Sequence, residues 1–323
     1  MIANGMHQAG YEYINIDDGW EGQRDLDGIL QPNANFPDMK ALGDYLHSRG
    51  LKFGIYTTMG PKTCTGLVGS QGYEEKDVQT FLNWGVDFVK YVICNFQPAS
   101  EIVEQAFIHK MSIALRSQET HPVVLSIVML QSPWHWARSL GVNMWRISPD
   151  AQNTYENMME IADNDAGLAP YASKAGWNDP DMLQVGRGGM STNEYRTHFT
   201  LWAILAAPLL ASTDLRSVSA SDLAILTNGA AIAINQDPEV HQANRVSHGS
   251  TVDVWVKQLS AGWAIAIVNR SEEVTTHLLD GKDLGIDVAQ VNEVWTDQTV
   301  SLPYTFTLPS HGSVLLKTLQ PAK

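Results

Sequence analysis

Short apolar segments alternate with amphipathic stretches over the first two thirds of the chain, and this alternation constrains the fold more than any other feature. The apolar segments predict strands at 13–17, 52–57, 86–92, 122–129, 143–147, 176–182 and 208–213. The stretches between them predict helices at 39–48, 74–84, 99–117, 153–163, 191–206 and 219–226. Apolar strands separated by helices are typical of a parallel sheet covered on both faces. Seven such repeats predict an α/β fold that closes as a (β/α)8 barrel.

A barrel of this class needs eight strands, and the pattern supplies seven. Residues 1–10 resemble the tail of a helix that leads into the segment 13–17. We therefore expect the missing strand to be the first one and the chain to be truncated at its N-terminus. The alternative is that a strand has been merged or overlooked elsewhere.

The pattern changes after about Gln236, where residues begin to alternate with a period of two. Such segments occur at 251–258, 263–269, 273–278, 290–295 and 313–319, separated by Gly, Ser, Asp and Pro. They predict an antiparallel β sandwich. The expected domains are a barrel over 1–236 and a β domain over 237–323.

Composition excludes several classes of partner. The chain has 323 residues, 35 acidic against 21 basic, and a formal net charge of −14. Binding to nucleic acid requires concentrated Lys and Arg, so it is not expected. The longest apolar run, LWAILAAPLLA from Leu201, contains a proline and is too short to span a membrane. The ten histidines show no metal-binding spacing, and no motif requires a cofactor. A homo-oligomer is compatible with the sequence.

Polar and aromatic residues follow the predicted strands, where active sites form in barrels of this class. Carboxylates and cations there suit the vicinal hydroxyls of a sugar, and aromatic rings suit its apolar face. Any single aspartate after a strand is also explained as a turn or helix cap. The residues at the strand ends are Asp17, Asp18, Trp20, Tyr56, Lys90, Trp145, Arg146, Asp150, Trp177, Asn178, Asp179 and Asp181.

Five motifs resemble glycoside hydrolase family 27, which contains α-galactosidases and α-N-acetylgalactosaminidases. They are YINIDDGW from Tyr13, GIYTTMGPKTC from Gly54, GYEEKDVQTFLNWGVDFVKY from Gly72, WRISPD from Trp145 and GWNDPDML from Gly176. The resemblance covers the chain from about residue 2 to the LPSHGSVLLK ending of the β domain. The family's opening Gly-Trp-Asn-Ser-Trp strand is not found, in agreement with the count of seven strands.

The resemblance implies a sugar site for terminal α-linked galactose. Asp17 and Asp18 match the pair that binds the axial 4-hydroxyl and the 6-hydroxyl. Arg146 matches an arginine on the side of the 2- and 3-hydroxyls, and Asp150 matches the general acid/base. The remaining matches are Tyr56 and Lys90, which line the sugar, and Trp177 and Asp181 on the strand next to the pocket.

The two cysteines, Cys64 and Cys94, have no metal-binding spacing. The residues alone leave two buried thiols or one disulfide open. The resemblance implies a disulfide, which points to an oxidising compartment and hence to a secreted or periplasmic protein. No signal peptide is visible after Met1. Asn269-Arg270-Ser271 matches a glycosylation sequon, a pattern common by chance.

One departure from the family concerns the catalytic nucleophile. The family has Lys-(Tyr/Phe)-Asp-x-Cys at the end of the fourth barrel strand, whereas this chain has Lys90-Tyr91-Val92-Ile93-Cys94. The flanking Lys90 and Cys94 place Val92 at the nucleophile position. Valine has no lone pair for attack on the anomeric carbon, so efficient retaining hydrolysis is not expected.

Three interpretations follow. The chain is an α-galactosidase-type hydrolase with an inactivating or erroneous change at Val92, or it is a non-catalytic galactoside-binding relative. In the third, Asp150 acts as acid while a second carboxylate, Asp181 or Asp18, activates a water for inversion.

A second departure lies on the fifth strand. Family members have Cys-Glu or Cys-Ser there, facing the 2-substituent of the sugar, whereas residues 126–131 read Ser-Ile-Val-Met-Leu-Gln. Recognition at carbon 2 is therefore expected to differ. The following loop offers Trp134, His135 and Trp136 as stacking surfaces.

Overall fold

Parallel strands and helices alternate along residues 12–146, as the apolar pattern predicts. The structure is a computed structural model that describes residues 1–98, 100–117, 121–128 and 131–319. Residues 12–146 form one compact unit. Its elements are β1 (Tyr13–Ile16), β2 (Glu21–Arg24), β3 (Leu30–Pro32), α1 (Met39–Ser48), β4 (Lys52–Thr58), α2 (Glu74–Asn83), β5 (Phe88–Val92), α3 (Glu101–Leu115), β6 (Val124–Val128) and β7 (Met144–Arg146). Strands β1, β4, β5, β6 and β7 pair in this order, every pair parallel.

Local sequence signals explain why the helices begin where they do. The Asp38 carboxylate caps α1 by accepting the Ala41 N–H, and the buried residues of α1 lie on one face. Gly43 belongs to that face, and a Cβ there would lie 2.1 Å from the carbonyl oxygen of Trp84. The close approach of α1 to the end of α2 therefore requires glycine at position 43.

The second compact unit consists of residues 1–11 and the residues from 147 onward. Its first part contains α4 (Tyr155–Asp165), β8 (Trp177–Asp179), α5 (Thr192–Ile204), α6 (Ala220–Leu226) and α7 (Gly229–Asn235). Helix α5 begins with a complete capping box: Ser191 accepts the Glu194 N–H, and the Glu194 side chain accepts the Ser191 N–H. The predicted caps at Ser191 and Ser219 are confirmed.

The C-terminal part of this unit is the predicted antiparallel β sandwich. Its strands are β9 (Asn244–His248), β10 (Val252–Gln258), β11 (Trp263–Asn269), β12 (Thr275–Leu279), β13 (Gln290–Glu293), β14 (Gln298–Ser301), β15 (Tyr304–Leu308) and β16 (Ser313–Thr318). One sheet has the order β14-β13-β16-β11-β10-β9, and the other is the pair β12-β15. Val254, Ile265, Phe306 and Leu308 belong to the apolar cluster between them. The (β/α)8-barrel class followed by a β sandwich is confirmed.

Helix α5 packs against the outer face of the larger sheet. Trp202 on α5 and Trp255 on β10 are both fully buried in this contact. Lys257, two residues along β10, is also buried, and its Nζ donates to the Ile234 carbonyl oxygen at 2.6 Å. Burial lowers the pKa of Lys257 to about 8, because the apolar surroundings disfavour the charged form.

Two sequence predictions about elements are wrong, and several elements are not predicted at all. Residues 2–10 form turns rather than the end of a helix, with Gly5 and Gly10 at positive φ. The predicted strand 208–213 is reduced to a single parallel bridge between Leu183 and Ala211. The sequence interpretation also missed α7 and the strands β2, β3, β9, β14 and β15. Among the described residues, none of the helices has both the length and the apolar character needed to cross a membrane.

Candidate active site

The aspartate pair after β1 is held by two different partners in the first unit. Asp17 Oδ2 accepts from Lys90 Nζ at 2.7 Å, and its Oδ1 accepts the Asp18 N–H at 2.8 Å. Asp18 Oδ2 accepts the Thr65 N–H at 2.9 Å, while its Oδ1 accepts from Thr65 Oγ1 at 2.8 Å. A carboxylate offers about four lone-pair positions, so each keeps capacity for a sugar hydroxyl.

Tyr56 lies next to the two cysteines. Its hydroxyl is 3.5 Å from Cys64 Sγ and 3.7 Å from Cys94 Sγ. These two cysteines form the disulfide that the resemblance implies. Burial, with a smaller contribution from the charge of Asp18, raises the pKa of Tyr56 well above its usual value. The phenol therefore remains protonated, and Lys90 Nζ lies 5.8 Å from the centre of its ring.

Trp20 belongs to the core rather than to a sugar-binding surface. The indole is fully buried, its Nε1 donates to the Tyr56 carbonyl oxygen at 2.9 Å, and it packs edge-on against Phe81 and Trp84. The structure thus corrects the expectation of a sugar contact at Trp20. Next to it, the buried Glu21 accepts the Gly19 N–H at 3.1 Å, and burial raises the pKa of Glu21 to about 7. Sequence reasoning overlooked Glu21.

Val92 is the last residue of β5 and pairs in register with Thr58 on β4. Side chains alternate along a strand, so Val92 projects to the same face as Lys90, while the buried Tyr91 projects to the other. The Val92 carbonyl oxygen accepts the Met59 N–H at 2.9 Å. On the face of β5 that carries Lys90, the next side chain along the strand is therefore that of Val92, which is apolar and buried.

In the second unit, Asp181 is hydrogen-bonded to the backbone directly after Asp150. Asp150 is exposed. Asp181 Oδ2 accepts the N–H of Ala151, the residue after Asp150, at 2.7 Å, and Asp181 Oδ1 accepts the Met182 N–H at 2.7 Å. Asp181 adopts φ +76°, which is rare outside glycine. Its own N–H donates to Asp179 Oδ1 at 2.9 Å, which helps to hold this backbone conformation.

The other predicted positions lie at strand ends. Arg146 ends β7 and is buried, and Trp177 begins β8 and is half-buried. On β6, Ser126 is buried, whereas Met129 and Leu130 lie outside the described residues. The rings of Trp134 and His135 lie 5.9 Å apart in the following loop.

A buried polar network lies behind β8. Asn178 Nδ2 donates to Gln242 Oε1 at 2.8 Å, and Gln242 Nε2 donates to Asp165 Oδ1 at 3.0 Å. Burial raises the pKa of Asp165 to about 7, and the charge of Asp179 adds to the shift. Sequence reasoning missed this network, since its members are far apart in the chain.

Replacing Asp165 with asparagine should make stability less dependent on pH. The pKa of an unfolded aspartate is about 3.9, so the folded state binds the proton more strongly. The stabilising contribution of protonated Asp165 is therefore complete below about pH 4 and is lost as the pH rises through about 7. Asparagine resembles the protonated carboxyl at every pH. In urea unfolding, we expect the free energy of unfolding of Asp165→Asn to exceed that of the parent by about 2–4 kcal/mol at pH 8 and by little at pH 4. A gain equal at both pH values would contradict the assignment.

One cluster of the described residues has the geometry of a cation site. Ligand atoms of Asp163, His248 and Asp253 lie within 4.8 Å of one another. However, Arg270 places nitrogens 2.7 Å from both aspartates, and Arg245 also pairs with Asp163. Two guanidinium charges oppose a metal ion, so the cluster is an ion-pair network between α4 and the sandwich.

Asn269, the asparagine of the glycosylation sequon, makes hydrogen bonds inside the sandwich. Asn269 is fully buried, and its Nδ2 donates to the carbonyl oxygens of Glu273 at 2.7 Å and Pro309 at 2.8 Å. Glycan attachment requires an accessible amide. The folded chain therefore does not offer Asn269 for modification.

Comparison with known families decides the classification. Residues 1–237 match a family model described as alpha galactosidase A, and residues 249–318 match one described as the alpha galactosidase C-terminal beta sandwich domain. The chain belongs to glycoside hydrolase family 27. Its relatives are α-galactosidase glycoside hydrolases.

Individual relatives agree with this classification. An alpha-galactosidase from Cyamopsis tetragonoloba is 39% identical over 312 residues, which cover 94% of this chain and 75% of that protein. Alpha-galactosidase A from Homo sapiens is 40% identical over 285 residues, covering 84% of this chain and 66% of the human one. The crystal structure of alpha-galactosidase I from Mortierella vinacea superposes with a TM-score of 0.92 at 29% identity, covering 98% of this chain and 89% of that one. The structure of the alpha-galactosidase from Saccharomyces cerevisiae with raffinose superposes with a TM-score of 0.89 at 25% identity, covering 98% of this chain and 91% of that one.

Proposed function

We propose that this protein binds terminal α-linked galactose in a retaining-type glycoside hydrolase site and that Val92 blocks the covalent step. The observation that carries the proposal is the arrangement on β5. Lys90 binds Asp17 of the aspartate pair, while the side chain two residues further along the same face is apolar. The recognition residues of the first unit are thus organised, and the nucleophile position carries no nucleophile.

The proposed recognition follows the chemistry of galactose. Asp17 and Asp18 accept hydrogen bonds from the 4-hydroxyl and the 6-hydroxyl, and Arg146 donates on the side of the 2- and 3-hydroxyls. Hydrogen bonds that involve a charged partner are worth about 1.5–3 kcal/mol each. An axial 4-hydroxyl distinguishes galactose from glucose, so the aspartate pair supplies the discrimination between the two sugars.

The proposed chemistry is that of a retaining glycosidase. Such enzymes need two carboxyl groups about 5–5.5 Å apart: one attacks the anomeric carbon, and the other protonates the leaving oxygen and later activates water. We assign the second role to Asp150. With valine at position 92, the glycosyl ester cannot form, so the bound galactoside is not hydrolysed by this route.

The inverting alternative is not favoured by the hydrogen bonds of its two candidate bases. Inversion needs a carboxylate about 6.5–9.5 Å from the acid that takes a proton from water. Both oxygens of Asp181 accept backbone N–H groups, and both oxygens of Asp18 accept from Thr65. Asp181 is thus engaged through both oxygens with the backbone of its own segment, and Asp18 is assigned to the sugar, so neither carboxylate is set to hold a water for attack.

The second candidate function is that of a binding protein without turnover, which Val92 itself favours. A pocket without a nucleophile retains the hydrogen bonds that hold the sugar. In this case the chain recognises α-galactosides as a ligand rather than as a substrate. Its affinity for galactose is then the property on which its role depends.

Calorimetric titration of the parent chain with methyl α-galactoside tests the recognition. We expect binding that is at least tenfold tighter than for methyl α-glucoside. Asp17→Asn should weaken galactoside binding by about 10–100-fold, because it replaces a charged acceptor by a neutral amide. Asp214→Asn is the matched control, since Asp214 pairs with the exposed Arg216. Equal affinity for the two sugars, or equal losses in the two variants, would refute the proposal.

A further inference from the structure

The segment between β4 and α2 contains a tight turn that reaches back to the aspartate pair. Thr63 N donates to the Leu67 carbonyl oxygen at 2.9 Å, and Leu67 N donates to Thr63 Oγ1 at 3.0 Å. Lys62 and Val68 form an antiparallel bridge at its base. Gly66, at φ +89°, makes the reversal that brings Thr65 to the outside. The turn is therefore a defined structure with Thr65 on its exposed side.

Two restraints fix this turn to the end of β5. The disulfide joins Cys64 to Cys94, with 5.1 Å between the Cα atoms. Asn95 Nδ2 donates to the Thr63 carbonyl oxygen at 2.7 Å. Cys94 and Asn95 follow Val92 almost directly. The turn is thus attached to the strand that carries the Asp17-binding lysine and the nucleophile position.

Thr65 holds Asp18 with two donors. Its N–H contacts Asp18 Oδ2 at 2.9 Å, and its hydroxyl contacts Asp18 Oδ1 at 2.8 Å. One donor on each oxygen fixes both the position and the plane of the carboxylate. The lone pairs that remain then point in defined directions. A hydroxyl-bearing side chain at position 65 is required for the second of these bonds.

We propose that Thr65 is a positioning residue for galactoside recognition, acting through the orientation of the Asp18 carboxylate. This inference rests on the proposed function, because it assigns the oriented carboxylate to a sugar hydroxyl. Thr65 does not itself contact the sugar in this scheme. The side chain of Lys90 then holds the Asp17 carboxylate, and the turn that the disulfide anchors holds the Asp18 carboxylate.

A double-mutant cycle tests the inference with methyl α-galactoside as the titrant. Thr65→Val keeps the branched shape and removes the hydroxyl, and we expect about tenfold weaker binding. Thr65→Ser should remain within about twofold of the parent, and Lys62→Ala, on the exposed base of the same turn, serves as the loop control. In an Asp18→Ala background, Thr65→Val should have no further effect. A tenfold loss that persists in that background, or an equal loss in Thr65→Ser, would overturn the inference.

Amide hydrogen exchange separates failure of this inference from failure of the proposed function. In the parent chain the Thr65 N–H donates to Asp18, so its exchange should accelerate in Asp18→Ala, whereas the Leu67 N–H, which donates to Thr63, should not change. If the parent does not bind galactoside, the proposed function fails, and with it the assignment of Thr65 to sugar recognition. If the parent binds and Thr65 exchange does not accelerate, the Thr65–Asp18 restraint alone is refuted.

Discussion

Val92→Asp is expected to raise the hydrolysis of p-nitrophenyl α-galactoside by about four to six orders of magnitude over the parent. Loss of a nucleophile costs a factor of this order in enzymes whose other groups remain. Position 92 lies at the carboxyl end of β5, and a carboxylate introduced there shares a face of the strand with Lys90, which binds Asp17. The release of p-nitrophenol measures the gain.

Val92→Asn is the matched control for this gain. Asparagine has nearly the shape of aspartate but no charge for attack on the anomeric carbon, so it should remain as inactive as the parent. If the parent already turns over at the rate of Val92→Asp, another group is the nucleophile. If Val92→Asp is folded, binds galactoside and stays inactive, position 92 is not the reacting position.

Asp150→Asn in the Val92→Asp background is expected to cost about 10²–10⁴ in kcat/KM for substrates with a poor leaving group. That is the usual contribution of general acid–base catalysis. The loss should be much smaller for a dinitrophenyl galactoside, whose leaving group needs no proton in the first step. Asp150 is exposed, so the substitution is not expected to disturb the fold.

The comparison of leaving groups decides the role of Asp150. A group that protonates the leaving oxygen matters in proportion to the basicity of that oxygen. Asp214→Asn in the same background controls for the loss of one surface carboxylate. Equal losses on both substrates would mean that Asp150 holds the structure or the sugar rather than transferring a proton.

Local signals explain which elements the sequence could predict. Helix α1 and strand β11 were predicted with the bounds that the structure shows, because a cap and a clear period define them. The hairpin β2-β3 escapes prediction because its strands, Glu-Gly-Gln-Arg and Leu-Gln-Pro, are mostly polar and show no apolar period. The segment 208–213 is apolar, and an apolar run alone does not separate a buried strand from a buried irregular segment.

The candidate site was predictable only where a residue's role follows from its place at a strand end. Lys90 and Asp17 were both singled out, and the structure brings them together. The sequence does not point to Thr65, because its contact with Asp18 spans 47 positions and depends on the turn that carries Thr65. A sequence does not distinguish an aromatic residue of the core from one on a surface, which is why it predicts a sugar contact for Trp20, a fully buried side chain.

The configuration of the galactose first released by Val92→Asp tests most directly the claim that position 92 is the nucleophile position of a retaining site. Proton NMR at early times distinguishes the two anomers before mutarotation. We expect α-galactose, because attack by Asp at position 92 and then by water inverts the anomeric carbon twice. Release of β-galactose would contradict it, since a single displacement by water needs no nucleophile at position 92.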